Sequence, residues 1–216
     1  MTRAVLFDLD GTLLDSLEDL ADSANYALRQ RGYPVHALEA YKYFVGNGMA
    51  KLIERILPAE RRDVPEERER LAAIYAPYYA AHSLDKTKPY DGIEEMLQAL
   101  RERGIKTAVV SNKPDEPARQ TVGAVFPAGT FDVVVGGLPA FPLKPAPDLA
   151  LHVLGRLGVA PGEALFVGDT GTDMRTAKSA GCTAVGVTWG FRGREELLEN
   201  GADRLIDRPR ELLDLL

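Results

Sequence analysis

Asp8 and Asp10 close the first apolar run of the chain, in Val5-Leu6-Phe7-Asp8-Leu9-Asp10-Gly11-Thr12. A carboxylate is ionised at neutral pH and costly to bury, so an acid at the end of a buried strand needs a metal, a cation or several donors beside it. Taken alone, the stretch also fits a strand terminator followed by a plain turn. A calcium loop fits poorly, because that pattern carries glycine at its sixth position and is entered from a helix. Here glycine is fourth and the entry reads as a strand.

Partners of the right kind stand further along. Thr107-Ala108-Val109-Val110 runs into Ser111-Asn112-Lys113, and Leu165-Phe166-Val167 runs into Gly168-Asp169-Thr170-Gly171-Thr172-Asp173. Lys144-Pro145-Ala146-Pro147 lies in the loop after Gly136-Gly137. If these runs are parallel strands, their carboxyl ends share one edge, and Asp8, Asp10, Ser111, Lys144, Asp169 and Asp173 can meet there. Two carboxylates about 4 Å apart repel by roughly 4 kcal/mol at an effective dielectric of about 20, so converging acids require cations. A hard divalent ion answers this, and an all-oxygen donor set favours Mg²⁺ over zinc. His36, His82 and His152 fall in separate segments without metal-ligand spacing and are expected at the surface or in the core.

Acids, a metal, a lysine and a hydroxyl together suit phosphoryl transfer, where catalysis is largely positioning and charge neutralisation. Asp8 can attack phosphorus, giving an acyl phosphate that water cleaves. Asp10 can protonate the leaving oxygen and then deprotonate the water. Ser111 can donate to a phosphate oxygen, and Lys144 can offset its charge. Singly, Ser111 also reads as a helix cap and Lys144 as a surface lysine; their joint occurrence at strand ends favours a site.

The elements that must position these residues are of two textures. Leu17, Leu20, Ala21, Ala24, Ala27 and Leu28 recur at helical spacing after a Ser16/Asp19 cap, and Gly32 ends that helix. Helical patterns continue over residues 37–44, 49–57 and 65–82, with no strand between, and the mixed-charge run 66–70 reads as a solvated helix face. Beyond Pro89 helix and strand alternate: helices over 93–103, 116–126, 148–157 and 172–180, strands over 105–110, 131–135, 164–167 and 184–187. A short edge strand at Leu205-Ile206 and a helix over 211–216 complete the series. This predicts an α/β fold, a doubly wound parallel sheet, with an all-helical cap inserted after its first strand. The expected division is a core of 1–14 and 85–216 and a cap of 15–84.

The 216 residues are 45% hydrophobic and 27% charged, ordinary values for a globular chain. A net charge of −6 argues against a nucleic-acid binder while leaving room for a local anion site. The single cysteine, Cys182, excludes an internal disulfide and reads as a small core residue. With no signal peptide or membrane span in view, the expectation is a cytoplasmic protein with no membrane partner. The oligomeric state is not legible.

Asp8-Leu9-Asp10-Gly11-Thr12, Ser111-Asn112, Lys144-Pro145 and Gly168-Asp169-Thr170-Gly171-Thr172-Asp173 resemble, in order, the four motifs of the haloacid dehalogenase superfamily in its phosphatase branch. The resemblance covers essentially the whole chain. It implies Asp8 as nucleophile and Asp10 as acid/base, with Ser111 and Lys144 also catalytic. Mg²⁺ would be held by Asp8, the Asp10 backbone carbonyl and Asp169, with Asp173 supporting it directly or through water; Thr12 and Asn112 would contact substrate. The dehalogenases themselves lack an acid at the position of Asp10. Val45-Gly46-Asn47-Gly48, Ser111-Asn112-Lys113-Pro114 and Trp189-Gly190-Phe191 are similar to phosphoglycolate phosphatases. Gly46, Asn47 and Gly48 would bring backbone amides to a small carboxylated phosphate, and the same residues also fit a helix-breaking turn. One departure is Leu138–Leu143, more apolar than relatives often are before the lysine, which bears on substrate choice.

The resemblance thus implies a phosphatase acting on a small phosphorylated metabolite, 2-phosphoglycolate foremost. A pyrophosphatase or a phosphosugar phosphatase or mutase of the same family are the alternatives. A phosphate-binding regulator without turnover is disfavoured by the intact Asp8 and Asp10.

Overall fold

The computed structural model describes residues 1–216. The chain divides into two compact units, Met1–Asp15 with Pro89–Leu216, and Ser16–Lys88. In chain order the elements are β1 (Ala4–Phe7), β2 (Leu14–Asp15), α1 (Leu17–Gln30), α2 (Leu38–Phe44), α3 (Met49–Ile56), α4 (Pro65–His82), β3 (Lys88–Pro89), α5 (Ile93–Glu102), β4 (Lys106–Pro114), α6 (Asp115–Val125), β5 (Val133–Gly137), α7 (Asp148–Leu157), β6 (Ala164–Gly168), α8 (Gly171–Ala180), β7 (Thr183–Val187), α9 (Arg194–Glu199) and β8 (Arg204–Ile206).

In the first unit six strands form one sheet in the order β5-β4-β1-β6-β7-β8, paired parallel throughout. β1 is central: Ala4 to Phe7 pair with Lys106 to Val109 on one side and Ala164 to Val167 on the other. Strand side chains alternate between faces, so Ala4 and Leu6 enter one buried cluster with Phe166, Val153 and Met174. Val5 and Phe7 enter the opposite cluster with Val109, Leu97 and Leu100. Cys182 is buried in the first of these, as its composition-based reading expected. Covered on both faces, such strands read as continuous apolar runs, which is why they stand out in the sequence.

Several features differ from expectation here, among them the short helix α9 and the two-residue strands β2 and β3, which the sequence pattern does not single out. β4 runs on to Pro114, with an irregularity in its pairing to β5 between Val110 and Pro114, so Ser111, Asn112 and Lys113 lie within the strand and not beyond it. The chain end expected as an α-helix is a 3₁₀ helix, Pro209–Leu215; the run after Pro209 is too short for an independent α-helix and is fixed by burial of Leu212.

The second unit is helical. α1 packs on α4, and Tyr26 stacks on Tyr78 at 3.8 Å between ring centres. Asn25 ties α1 to the next segment: its amide donates to the His36 carbonyl at 3.0 Å and its oxygen accepts from the Tyr41 hydroxyl at 2.8 Å. Gly46 and Gly48 sit at φ 100° and 82°, a region open to glycine, and turn the chain between α2 and α3.

Ser16 makes no side-chain cap bond to α1, and Asp19 does not act at the cap. The Asp19 carboxylate instead accepts from the backbone N–H of Lys86 and Thr87 and from the Thr87 hydroxyl. That tie holds residues 85–88 to α1 and explains why this unit reaches Lys88 where a boundary at 84 was expected. The run 66–70 is also not uniformly solvated. Glu67 is 7% exposed and accepts from Arg31 at 2.9 Å, Tyr33 at 2.7 Å and Arg70 at 3.0 Å. It lies on the face of α4 turned to the end of α1, a fact that charge composition alone does not carry.

No helix is long and apolar enough to cross a membrane.

Candidate active site

Asp8 follows β1 directly, and its N–H continues the ladder by donating to the Val167 carbonyl at 2.9 Å. The chain then turns sharply, with the Leu13 and Leu14 N–H groups both donating to the Leu9 carbonyl at 3.0 Å. The turn needs Gly11, at φ 87°, where a methyl would strike the Asp169 carboxylate and the Phe191 ring. It carries Thr12 back over the end of β6, and the Thr12 hydroxyl donates to Asp169 at 3.0 Å.

β6 delivers the other acids. Thr170 caps α8: its hydroxyl and N–H donate to the Asp173 carboxylate at 2.6 and 3.1 Å, while the Asp173 N–H returns a bond to the Thr170 hydroxyl. Asp169 is held by Thr12 and by the Phe191 N–H at 2.9 Å. Gly168 and Gly190 let the chain close around these acids, for a methyl on Gly168 would overlap Asp173 and one on Gly190 would overlap Asp169 and the Gly11 carbonyl. Trp189 completes the enclosure, donating from Nε1 to the Thr12 carbonyl at 3.0 Å.

Lys144 joins the two acid-bearing strands. Its side chain is 1% exposed, and its ammonium lies 2.8 Å from Asp8 and 2.7 Å from Asp173. Asn112 at the end of β4 fixes its backbone, accepting from the Lys144 N–H at 2.8 Å and donating to the Lys144 carbonyl at 3.1 Å. The side-chain oxygens of Asp8, Asp169 and Asp173 come within 4.8 Å of one another. Ser111 is buried at the same strand end, its hydroxyl accepting from the Lys113 N–H at 3.2 Å. Asp10, more exposed, is gripped by Lys113, whose ammonium lies 3.1 Å from both carboxylate oxygens.

Thus the strand ends bring together Asp8, Asp10, Thr12, Ser111, Asn112, Lys144, Asp169 and Asp173. Thr12 and Asn112, expected to touch substrate, have their side chains on Asp169 and on the Lys144 backbone. Gly46, Asn47 and Gly48 belong to the helical unit. Lys113 carries no role in the sequence reading, where it appears only within Ser111-Asn112-Lys113-Pro114, and its burial shows only in the fold. The functions of Gly168 and Gly190 as clearances depend on contacts that only the fold reveals.

The electrostatics of the cluster are out of balance. Burial pushes the Asp8 carboxyl up to about 7, with Lys144 opposing and Asp173 adding to the rise. Burial, then Asp173 and Asp8, raises Asp169 well above the usual carboxylate range, against the pull of the Phe191 N–H and the Thr12 hydroxyl. Burial works against the Lys144 ammonium, yet Asp173 and Asp8 outweigh it and hold its pKa above the usual lysine value. Three buried carboxylates converge with one ammonium, which pairs with Asp8 and Asp173, and their oxygens form a donor set that a hard divalent cation fits.

The family profile of haloacid dehalogenase-like hydrolases matches residues 5–187. A phosphoglycolate phosphatase of Pseudomonas putida is 35% identical over 216 residues, covering 99% of this chain and 79% of that protein. One from Aquifex aeolicus is 34% identical over 214 residues, covering 99% of this chain and 96% of its own. Among solved structures, a protein of Lactobacillus delbrueckii subsp. bulgaricus superposes with a TM-score of 0.94 at 32% identity, covering 100% of this chain and 98% of that one.

Proposed function

The chain belongs to the haloacid dehalogenase-like hydrolases and is a phosphatase of that family, and on that premise we propose that it is a Mg²⁺-dependent phosphomonoesterase acting on 2-phosphoglycolate through an aspartyl-phosphate. The observation that carries the reading is Asp8, buried at the end of the central strand and paired with Lys144, with Asp169 and Asp173 close by. The substrate is taken from the names of the two relatives that align with almost all of this chain.

In this reading an Asp8 carboxylate oxygen attacks phosphorus and the bond from phosphorus to the alcohol oxygen breaks, the departing oxygen taking a proton from Asp10. Asp10 then removes a proton from water, whose oxygen attacks phosphorus, releasing inorganic phosphate and restoring Asp8. Lys144 holds Asp8 in place and offsets charge, and the Ser111 hydroxyl donates to a phosphoryl oxygen. Asp8, the Asp10 carbonyl and Asp169, supported by Asp173, would hold Mg²⁺, which when bound would supply positive charge against the phosphoryl group. Thr12 and Asn112 are assigned to positioning Asp169 and Lys144. Gly46, Asn47 and Gly48 are proposed as the substrate-reading segment of the helical unit.

The test is phosphate release in Mg²⁺ from 2-phosphoglycolate, pyrophosphate and hexose phosphates. The expected result is preference for 2-phosphoglycolate, loss of turnover with EDTA, and none in Asp8→Asn, because an amide cannot form the acyl phosphate. Preference for pyrophosphate would reassign the substrate, and near-normal turnover in Asp8→Asn would remove the covalent route.

A further inference from the structure

The site holds two lysines sorted to different acids. Lys144 serves Asp8 and Asp173, while Lys113 lies symmetrically on both oxygens of Asp10. If Asp8 attacks and Asp10 protonates the leaving oxygen, Lys144 stands on the phosphoryl side and Lys113 on the side from which the alcohol departs. We infer that Lys113 reads a carboxylate on the leaving alcohol and so selects phosphate esters of 2-hydroxy acids; this rests on the phosphatase reading above.

The placement of Lys113 is built, not incidental. Its N–H is held by the Ser111 hydroxyl. The adjacent strand can approach its backbone because position 136 is glycine: a methyl there would overlap the Lys113 carbonyl and Asp115. The Asp115 carboxylate then accepts from the Gly136 N–H at 2.9 Å, locking β5 to the start of α6. The Lys113 side chain is 5% exposed and that of Asp10 18%, so the ion pair opens outward at its acidic end, where an ester would enter.

The chemistry of the alcohol completes the argument. In an ester of a 2-hydroxy acid the carboxylate is attached to the carbon that bears the ester oxygen. When that oxygen lies against Asp10, the carboxylate is brought beside whatever cation holds Asp10. Lys113 therefore has two duties in sequence: it cancels the Asp10 charge that would repel an anionic ester, and it then shares its ammonium with the incoming carboxylate. Hydrogen bonds to a charged group contribute more than neutral ones, and a site made for such a group discriminates against analogues without it.

Three esters on one skeleton test this: 2-phosphoglycolate, 2-hydroxyethyl phosphate and 2-aminoethyl phosphate, whose terminal groups are anionic, neutral and cationic. Wild type that hydrolyses none of them refutes the phosphatase reading itself. Wild type that hydrolyses all three alike overturns only the role of Lys113, and does so whether or not any variant folds. The expected result is a clear preference for the carboxylate. Lys113→Met should then raise KM for 2-phosphoglycolate by about tenfold or more relative to its effect on 2-hydroxyethyl phosphate. Lys113→Arg, which keeps the charge, should recover most of that preference. A proportional loss on all three esters, or an arginine variant no better than methionine, would mean that Lys113 only holds Asp10.

Discussion

At the scale of single residues, the site is defined by how few cations face its acids. Removing Lys144 leaves Asp8 and Asp173 without their ammonium, so Lys144→Ala is expected to lower kcat by about a hundredfold or more at saturating Mg²⁺, the order seen when one preorganised charge partner is lost. Unchanged kcat would place Lys144 outside the chemistry. Gly190→Ala probes the opposite requirement, for space. Its added methyl would overlap Asp169 and the Gly11 carbonyl, so the variant should need several-fold more Mg²⁺ for half-maximal activity, read by titrating the metal; an identical titration would mean the loop simply yields. Asp8, Asp10, Ser111, Lys144, Asp169 and Asp173 were legible in the sequence because each ends an apolar run or follows one in a polar loop. The engagement of Thr12 with Asp169, and of Asn112 with Lys144, was not, because a side chain that holds another residue and one that holds substrate are drawn from the same polar types.

At the scale of elements, α4 shows how a charge run can hide a buried group. Hydrogen bonds from Tyr33 and Arg31, against the opposing effect of burial, hold the Glu67 carboxyl down at about 2, below its ordinary 4.5. A depressed pKa means stability that is present above the ordinary value and is lost as pH falls toward the folded-state value. Glu67→Gln should therefore melt below wild type at pH 7, and the gap should narrow as pH drops from 4.5 toward 2, where glutamate becomes neutral too. A gap independent of pH in thermal melts would show that shape and not charge is what Glu67 contributes. Most helices and strands of the first unit are legible in the sequence to within two residues, since parallel strands buried on both faces leave uninterrupted apolar runs, whereas α9 and the two-residue strands β2 and β3 are too short to show a period. β4 is longer than the sequence suggests, because Ser111, Asn112 and Lys113 look like a loop by composition and belong to the strand only because Pro114 pairs with Gly137 beyond the irregularity.

At the scale of the whole molecule, the insertion leaves and re-enters the sheet-bearing unit at neighbouring points, for the Tyr90 N–H donates to the Leu13 carbonyl at 3.1 Å. That unit has its own two buried clusters. Joining Asp15 to Pro89 through a few glycine and serine residues in place of Ser16–Lys88 is therefore expected to leave a cooperative thermal transition in circular dichroism, with selectivity among esters reduced more than turnover of a small generic one. A broad, non-cooperative melt would show that the helical unit is needed for the sheet to form. The placement of β1 has a last consequence. Its backbone is bonded along both edges, and the Asp8 amide extends that bonding. In deuterated buffer the amides leading into Asp8 should thus be among the slowest to exchange, opening only when the whole sheet does. Local fraying cannot silence the nucleophile, so an aged or partly damaged population would lose activity in step with its folded fraction.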